Sequence, residues 1–475
     1  MLISTKLTHS HRSQISRKAT KFFYAWTHMA QSAADHLWRS LLRNRQTPFR
    51  LRVVQAVAGL IAIISWLAGS PTRAQSDSID YSHVPKEEIV LGSSNNFKLF
   101  DDAFYQNQLF LLGESHGVQK PQDVDFELLK HLNQKLGIRY YIAEVDATKA
   151  HYLNEYLQSG DDATLMKVFR NWVAGKAQWA NKDFVRKIQK IRALNQTLPA
   201  NRRIEFVGID RIHDNALAAE HLTGLLRGKK LPKTTQVLAD SLVRKLGAGP
   251  DSLAADLALT WLTDWQAKEA VYRKALGSDA PTLRHLLTNV GYMKTIKSRE
   301  KTIFTNFTTL LPSLNNEKLY GFWGFFHVLQ SPPLGSAKPF ACLIKESDLP
   351  LHDKIVSITF SYLDSYSMVP TAFIPPFWQD KGKTYTRLNK FNQDSELMHT
   401  EGIESMRAAT RPNTLTLFAL DRPGSFARTT PIRIKYAPFM PKSQQMKFDP
   451  AHPTTDYFQY VILVRDSDMT EPLVP

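Results

Sequence analysis

Three short apolar runs, each closed by an acid and parted by helical patterns, constrain this chain more than any other feature. "NQLFLLG" (107–113) reads as a buried strand and is followed by Glu114. "IRYYIAEVD" (138–146) is a second strand and "RRIEFVGID" (202–210) a third. Between them, "DVDFELLKHLNQKLG" (123–137) puts Leu128, Leu129, Leu132 and Leu136 on one helical stripe and stops at Gly137. Further helical patterns cover 148–158 and 181–197. This β-α-β-α order predicts an α/β fold: a central parallel or mixed sheet with helical crossovers.

The domain plan follows. Residues 96–213 form the first part of the α/β domain. Residues 214–298 read as a large all-helical insertion. Residues 299–475 return to the α/β domain, with "EKLYGFWGFFHVLQ" (317–330) as strand and a β-rich C-terminal part. Residues 75–95 are polar and expected to be a flexible lead-in. Residues 1–52 are a basic extension, with ten Lys/Arg against Asp35 as the single acid. The run "VVQAVAGLIAIISWLAG" (53–69) lies in a segment, 53–74, that reads as a signal peptide cut after Ala74 or as a membrane anchor. Either reading exports the large domain to the periplasm or beyond, with membrane association through 53–69 in the second.

Composition then excludes several classes. Cys342 is the only cysteine, so neither an intrachain disulfide nor a Cys-based zinc site can form. The net charge of +16 is concentrated at the N-terminus, and the rest is dispersed as on a solvated surface, so no nucleic-acid partner is expected. A small-molecule substrate is.

"GESHG" (113–117) fits the G-x-S-x-G pattern of a nucleophile elbow at Ser115. Its context argues otherwise. Too few strands precede it to supply an oxyanion hole, and Pro121 disfavours a helix at Lys120. The alternative pair is Glu114 and His116, just past a strand end, where open α/β sheets bind ligands. Glu144 and Asp210 end the next two strands, and His327 lies near the end of a fourth. An imidazole to take a proton from water, with carboxylates to orient it, suits acid–base hydrolysis. Arg299 shares a helical face with Ile303, Phe307, Leu310 and Leu311, so it needs a partner: a structural carboxylate or a developing oxyanion. Trp323, Phe325 and Phe326 near His327 suggest an apolar or ring-bearing ligand, with Trp323, Phe326 and Asp210 as substrate contacts.

The order "GESHG", "YIAEVD", "FVGID", "SREKTIFTNF", "GFWGFFHV" and "YFQYVILVRD" resembles the erythromycin esterase-like family, from Asn107 to the C-terminus. The resemblance implies a hydrolase of an ester or related carbonyl compound, with no metal and no cofactor. Glu114, His116, Glu144 and His327 would line its cleft, His116 as the base and Arg299 nearby. The chain departs from the family pattern in three ways. One residue rather than two separates Glu114 from His116. Gly324 and Phe325 replace a His-Asn pair. A basic residue usual on the helix after the first motif is missing. The Gly-Glu-x-His motif also resembles exported haem- or metal-binding proteins, in which two His and two Glu would ligate Zn²⁺ or Fe.

Overall fold

The computed structural model describes residues 79–248 and 252–474. In chain order the strands are β1 (Lys86–Ile89), β2 (Leu109–Glu114), β3 (Tyr140–Asp146), β4 (Glu205–Asp210), β5 (Leu319–Gly324), β6 (Ile355–Leu363), β7 (Ser367–Pro370), β8 (Tyr385–Leu388), β9 (Met398–Thr400), β10 (Leu415–Ala419), β11 (Ile434–Tyr436) and β12 (Tyr460–Arg465). Eight of them form one mixed sheet in the order β1-β10-β12-β6-β2-β5-β3-β4. From β12 to β4 all neighbours are parallel; β10 is antiparallel to both β12 and β1.

The near-continuous apolar reading of β2 has a direct cause: both of its faces are covered. Phe110 and Leu112 pack with Val124, Leu128 and Leu132 of the helix Lys120–Leu136. Leu109 and Leu111 point the other way, to Ile303 and Phe307 of the helix Arg299–Leu310. Alternation along a strand sends successive side chains to opposite faces, so both layers draw on the same short run. The helix Lys182–Thr197 is started by Asn181, whose side chain accepts from the Phe184 N–H.

Between β4 and the helix Arg299–Leu310 lie five helices, from Asn215–Leu226 to Ala280–Thr295. They pack around Trp261, Trp265 and Tyr272, with the last two rings stacked at 4.6 Å. The C-terminal β6, β10 and β12 complete the sheet, and a further cluster covers their second face.

Three expectations change. The lead-in 75–95 supplies β1, which joins β10 through backbone pairing at the sheet edge. With Ile89 as its one buried residue, its sequence shows no strand periodicity. Helix begins at Lys120 despite Pro121. In the first turn, proline's missing N–H has no intrahelical partner to lose, so it opens a helix rather than breaking one. The strand expected over 317–330 ends at Gly324, and Phe325–Val328 fold into a 3₁₀ turn. The signal or anchor segment 53–74 lies outside the described residues, as does the extension 1–52. Among the described residues no helix is long and apolar enough to cross a membrane.

Candidate active site

Four adjacent parallel strands, β2, β5, β3 and β4, end on one rim of the sheet, and each brings one part of the site. Glu114 closes β2 and is buried; two residues on, His116 turns back so that Nδ1 lies 2.9 Å from its carboxylate. Gln122 Nε2 donates to the second Glu114 oxygen at 3.2 Å. Nδ1 is thereby the donor to Glu114, and Nε2 is free to accept a proton. Burial works against charge on His116, but the Glu114 bond prevails and raises its pKa. Burial pushes Glu114 up as well, against the hydrogen bond and charge of His116, which lower it.

Glu144 sits in an irregularity of β3, where pairing with β4 skips from Ala143–Gly208 to Asp146–Asp210. The bulge re-aims the carboxylate toward the rim. Gly208 permits it: a Cβ there would lie 2.2 Å from the Asp146 carbonyl oxygen. Glu144 accepts from the Gly324 N–H at 2.6 Å and from Arg299 Nη2 at 2.8 Å. Burial alone would raise its pKa, but His327, His116 and Arg299 hold it well below the usual carboxylate range.

Arg299 is the hub. Nε and Nη2 grip Asp210 at 3.0 and 2.5 Å, Nη2 also reaches Glu144, and Nη1 lies 3.0 Å from His327 Nε2. With His327 neutral, four of its five donors are used and one on Nη1 is left for a ligand oxygen; with His327 charged, Nε2 no longer accepts and both Nη1 hydrogens are left. Burial opposes its charge, yet Asp210 and Glu144 raise its pKa further. His327 donates from Nδ1 to Glu300 at 2.9 Å. Burial works against the imidazolium, but the bonds to Glu144 and Glu300 prevail and raise its pKa to about 9. The neutral ring accepts from Arg299 at Nε2; the charged ring presents that proton toward Glu144, 3.5 Å away.

Two spaces adjoin these groups. A cavity of about 30 Å³, bounded by Glu114, His116, Gln122, Glu144 and Trp179, has room for water. A pocket of about 280 Å³ shares Glu144 and Trp179 with it and opens past Arg299, Arg211, His213 and Trp172. Trp179 stands between them, its ring 4.5 Å from that of His116.

No family model and no curated protein matches the chain by sequence. Solved structures do match by shape. A protein from Bacillus cereus superposes with a TM-score of 0.60 at 13% identity, over 80% of this chain and 93% of that one. An erythromycin esterase, EreC, in its open conformation gives 0.55 at 14% identity, over 81% and 96%. A succinoglycan biosynthesis protein gives 0.55 at 14%, over 78% and 91%. The fold resembles that of an erythromycin esterase. At such identities the likeness carries the fold and no more.

Of the residues singled out from sequence, Glu114, His116, Glu144, Asp210, Arg299 and His327 converge. Asp210 is buried, with both oxygens held by Arg299, so it anchors the arginine, and it also lines the 280 Å³ pocket. Trp323 is buried because strand alternation turns it inward, where it donates to the Ile142 carbonyl, backs His327 and lines part of the small cavity. Phe326 packs against the cluster beneath β12 and lines neither space. Ser115 donates its N–H to the Tyr362 hydroxyl, and both nitrogens of His116 are directed away from it, to Glu114 and toward Gly324. Among the described residues no three His, Cys, Asp or Glu side chains converge as metal ligands.

Sequence reading missed Glu300, Trp179, Gln122 and a buried cluster beneath Glu114. In that cluster Asp125 accepts from Lys187, Tyr141 and Tyr320 at 2.6–2.7 Å, and Lys187 lines the small cavity. A signal was present: Asp125 falls on the Leu128–Leu129–Leu132 stripe, where an acid must find a partner.

Gly324 explains one departure by another. A Cβ there would lie 3.1 Å from His116 Nε2. The shortened Glu-x-His spacing thus sends the imidazole into space that a side chain at 324 would fill. Its backbone, φ −56° and ψ 143°, is open to any residue. Gly324→Ala is therefore expected to fold normally, by near-UV circular dichroism, and to lose roughly 10²-fold in kcat/KM through displacement of the ring.

Proposed function

We propose that this chain is a hydrolase of an ester or related carbonyl compound in which His116 activates water. The observation that carries the reading is the arrival of two carboxylate-bonded histidines and one arginine with a spare donor at the ends of adjacent parallel strands. His116 Nε2 takes a proton as water oxygen attacks the carbonyl carbon. Glu114 stabilises the imidazolium that results. The free Nη1 donor of Arg299 meets the oxyanion. On collapse, His327 gives its Nε2 proton to the leaving oxygen and regains one from His116 through solvent. The acyl or leaving portion occupies the 280 Å³ pocket. The likeness to an erythromycin esterase supports the reaction class; it does not supply the substrate. The proposal includes export and asks for no metal, so activity should survive exhaustive chelation.

The pH dependence tests the assignments. His116 must be neutral and His327 charged. The kcat/KM profile, measured on any ester that a hydrolase screen returns, should rise through a value above the ordinary histidine 6.5 and fall through about 9. In Glu114→Gln the amide oxygen can still accept from Nδ1–H, but the negative charge that raises His116 is lost while burial, which lowers it, remains, so the ascending limb should move to lower pH. An ascending limb unmoved by this substitution would remove Glu114 from its role.

A further inference from the structure

The hairpin of β7 and β8 ends in the tip "TAFIPPFWQDKGKT" (371–384). Val369, Ile374, Leu388 and Trp378 form a small cluster that supports the tip from beneath. It leaves two phenylalanines outward. Phe373 is 79% exposed, the most exposed large apolar side chain among the described residues, and Phe377 is 60% exposed. Two 3₁₀ turns, Thr371–Phe373 and Pro376–Trp378, flank Pro375. Prolines fix the backbone there, so little conformational freedom remains to be lost on docking.

Cations collar the same tip. Lys381 and Lys383 are exposed, and neither forms an ion pair with a described acid. Arg387 and Lys390, further down the hairpin, pair with Asp468 and Glu396. Asp380 is the one acid between 371 and 390, and its carboxylate accepts from the Arg387 N–H. Protruding aromatics with two exposed lysines on the same tip match the boundary of an anionic bilayer, where rings enter the acyl edge and ammonium groups meet the headgroups. A second copy of the chain fits less well, because each copy carries the same collar and a net charge of +16. The base of the hairpin is bonded to the loops of the site: Met368 N–H donates to the Gly117 carbonyl at 2.8 Å, and Gln178 Nε2 bridges the His116 and Met368 carbonyls.

We propose that the β7–β8 tip docks on anionic membranes, placing Phe373 and Phe377 at the acyl boundary and Lys381 and Lys383 on the lipid headgroups. This stands independently of the hydrolase reading and of residues 53–69.

A local probe tests it in the full chain. Cys342, the only cysteine, is buried, so Ala372→Cys gives a single exposed thiol for an environment-sensitive dye. With vesicles of phosphatidylcholine and phosphatidylglycerol the dye should shift to the blue and be quenched by a lipid-borne quencher. Adding Lys381→Glu and Lys383→Glu should raise the lipid concentration needed by at least roughly thirtyfold. Adding Phe373→Ser and Phe377→Ser should raise it roughly a hundredfold. Because these four side chains are exposed, folding should be unaffected. A silent dye on protein that floats with the vesicles would place the bilayer contact elsewhere and overturn the proposal. So would an equal response to pure phosphatidylcholine, or a dye shift that needs protein concentration but no lipid, the mark of a second copy on the tip.

Discussion

His116→Ala is expected to lower kcat by roughly 10²–10⁴-fold with an almost unchanged melting temperature. The side chain is 23% exposed, and its partner Glu114 keeps the Gln122 bond when the ring is gone. The ring belongs to none of the hydrophobic clusters and its packing is with Trp179 at the rim, so stability should move little while proton transfer from water is lost. The cost in Glu114 is partial: it loses the imidazolium and takes up a proton more readily, being buried. Kinetics on a screened ester beside thermal unfolding separates the two effects. Wild-type turnover in this variant would end the assignment of His116 as the base.

Arg299→Met is expected to cost both activity and stability, and to do so in a pH-dependent way. The arginine is the shared partner of Asp210 and Glu144, which are almost fully buried. Removing it strips both buried carboxylates of their guanidinium and leaves Glu144 with His327 as its cation, a change worth about 3–5 kcal/mol. The sign with pH is fixed. Arg299 is one of the groups that hold Glu144 below its ordinary 4.5, and that contribution to stability is present above this value and lost as pH falls below it. Chemical denaturation should therefore show a larger deficit against wild type at pH 7 than at pH 3. An equal deficit at both would mean that the methionine harms packing rather than charge balance. Turnover should fall too, since the Nη1 donor for the oxyanion is gone.

Much of the site was legible because its residues sit at strand ends, which apolar runs mark plainly. Glu114 and Asp210 each close such a run, and Glu144 stands two residues before the end of another, which closes at Asp146. Glu300 was not legible in the same way. It stands beside Arg299 on a helix, and its role depends on His327 and on the Phe340 N–H, which it accepts at 2.9 Å. Trp323 and Phe326 looked alike in the string "FWGFFH", yet one is a core wall and the other belongs to a different cluster. The turn after Gly324 decides that, and its 3₁₀ geometry left no periodic trace.

The sequence by itself determined the α/β class, the parallel strands and the acids at their ends, because short-range alternation and burial on both faces are written in consecutive residues. Only the tertiary structure decided that Asp210 serves Arg299, that His116 fills the space over Gly324, and that Lys187 answers Asp125. Those contacts join residues tens to hundreds of positions apart, and their partners are chosen by the order in which strands lie side by side, which no local pattern encodes.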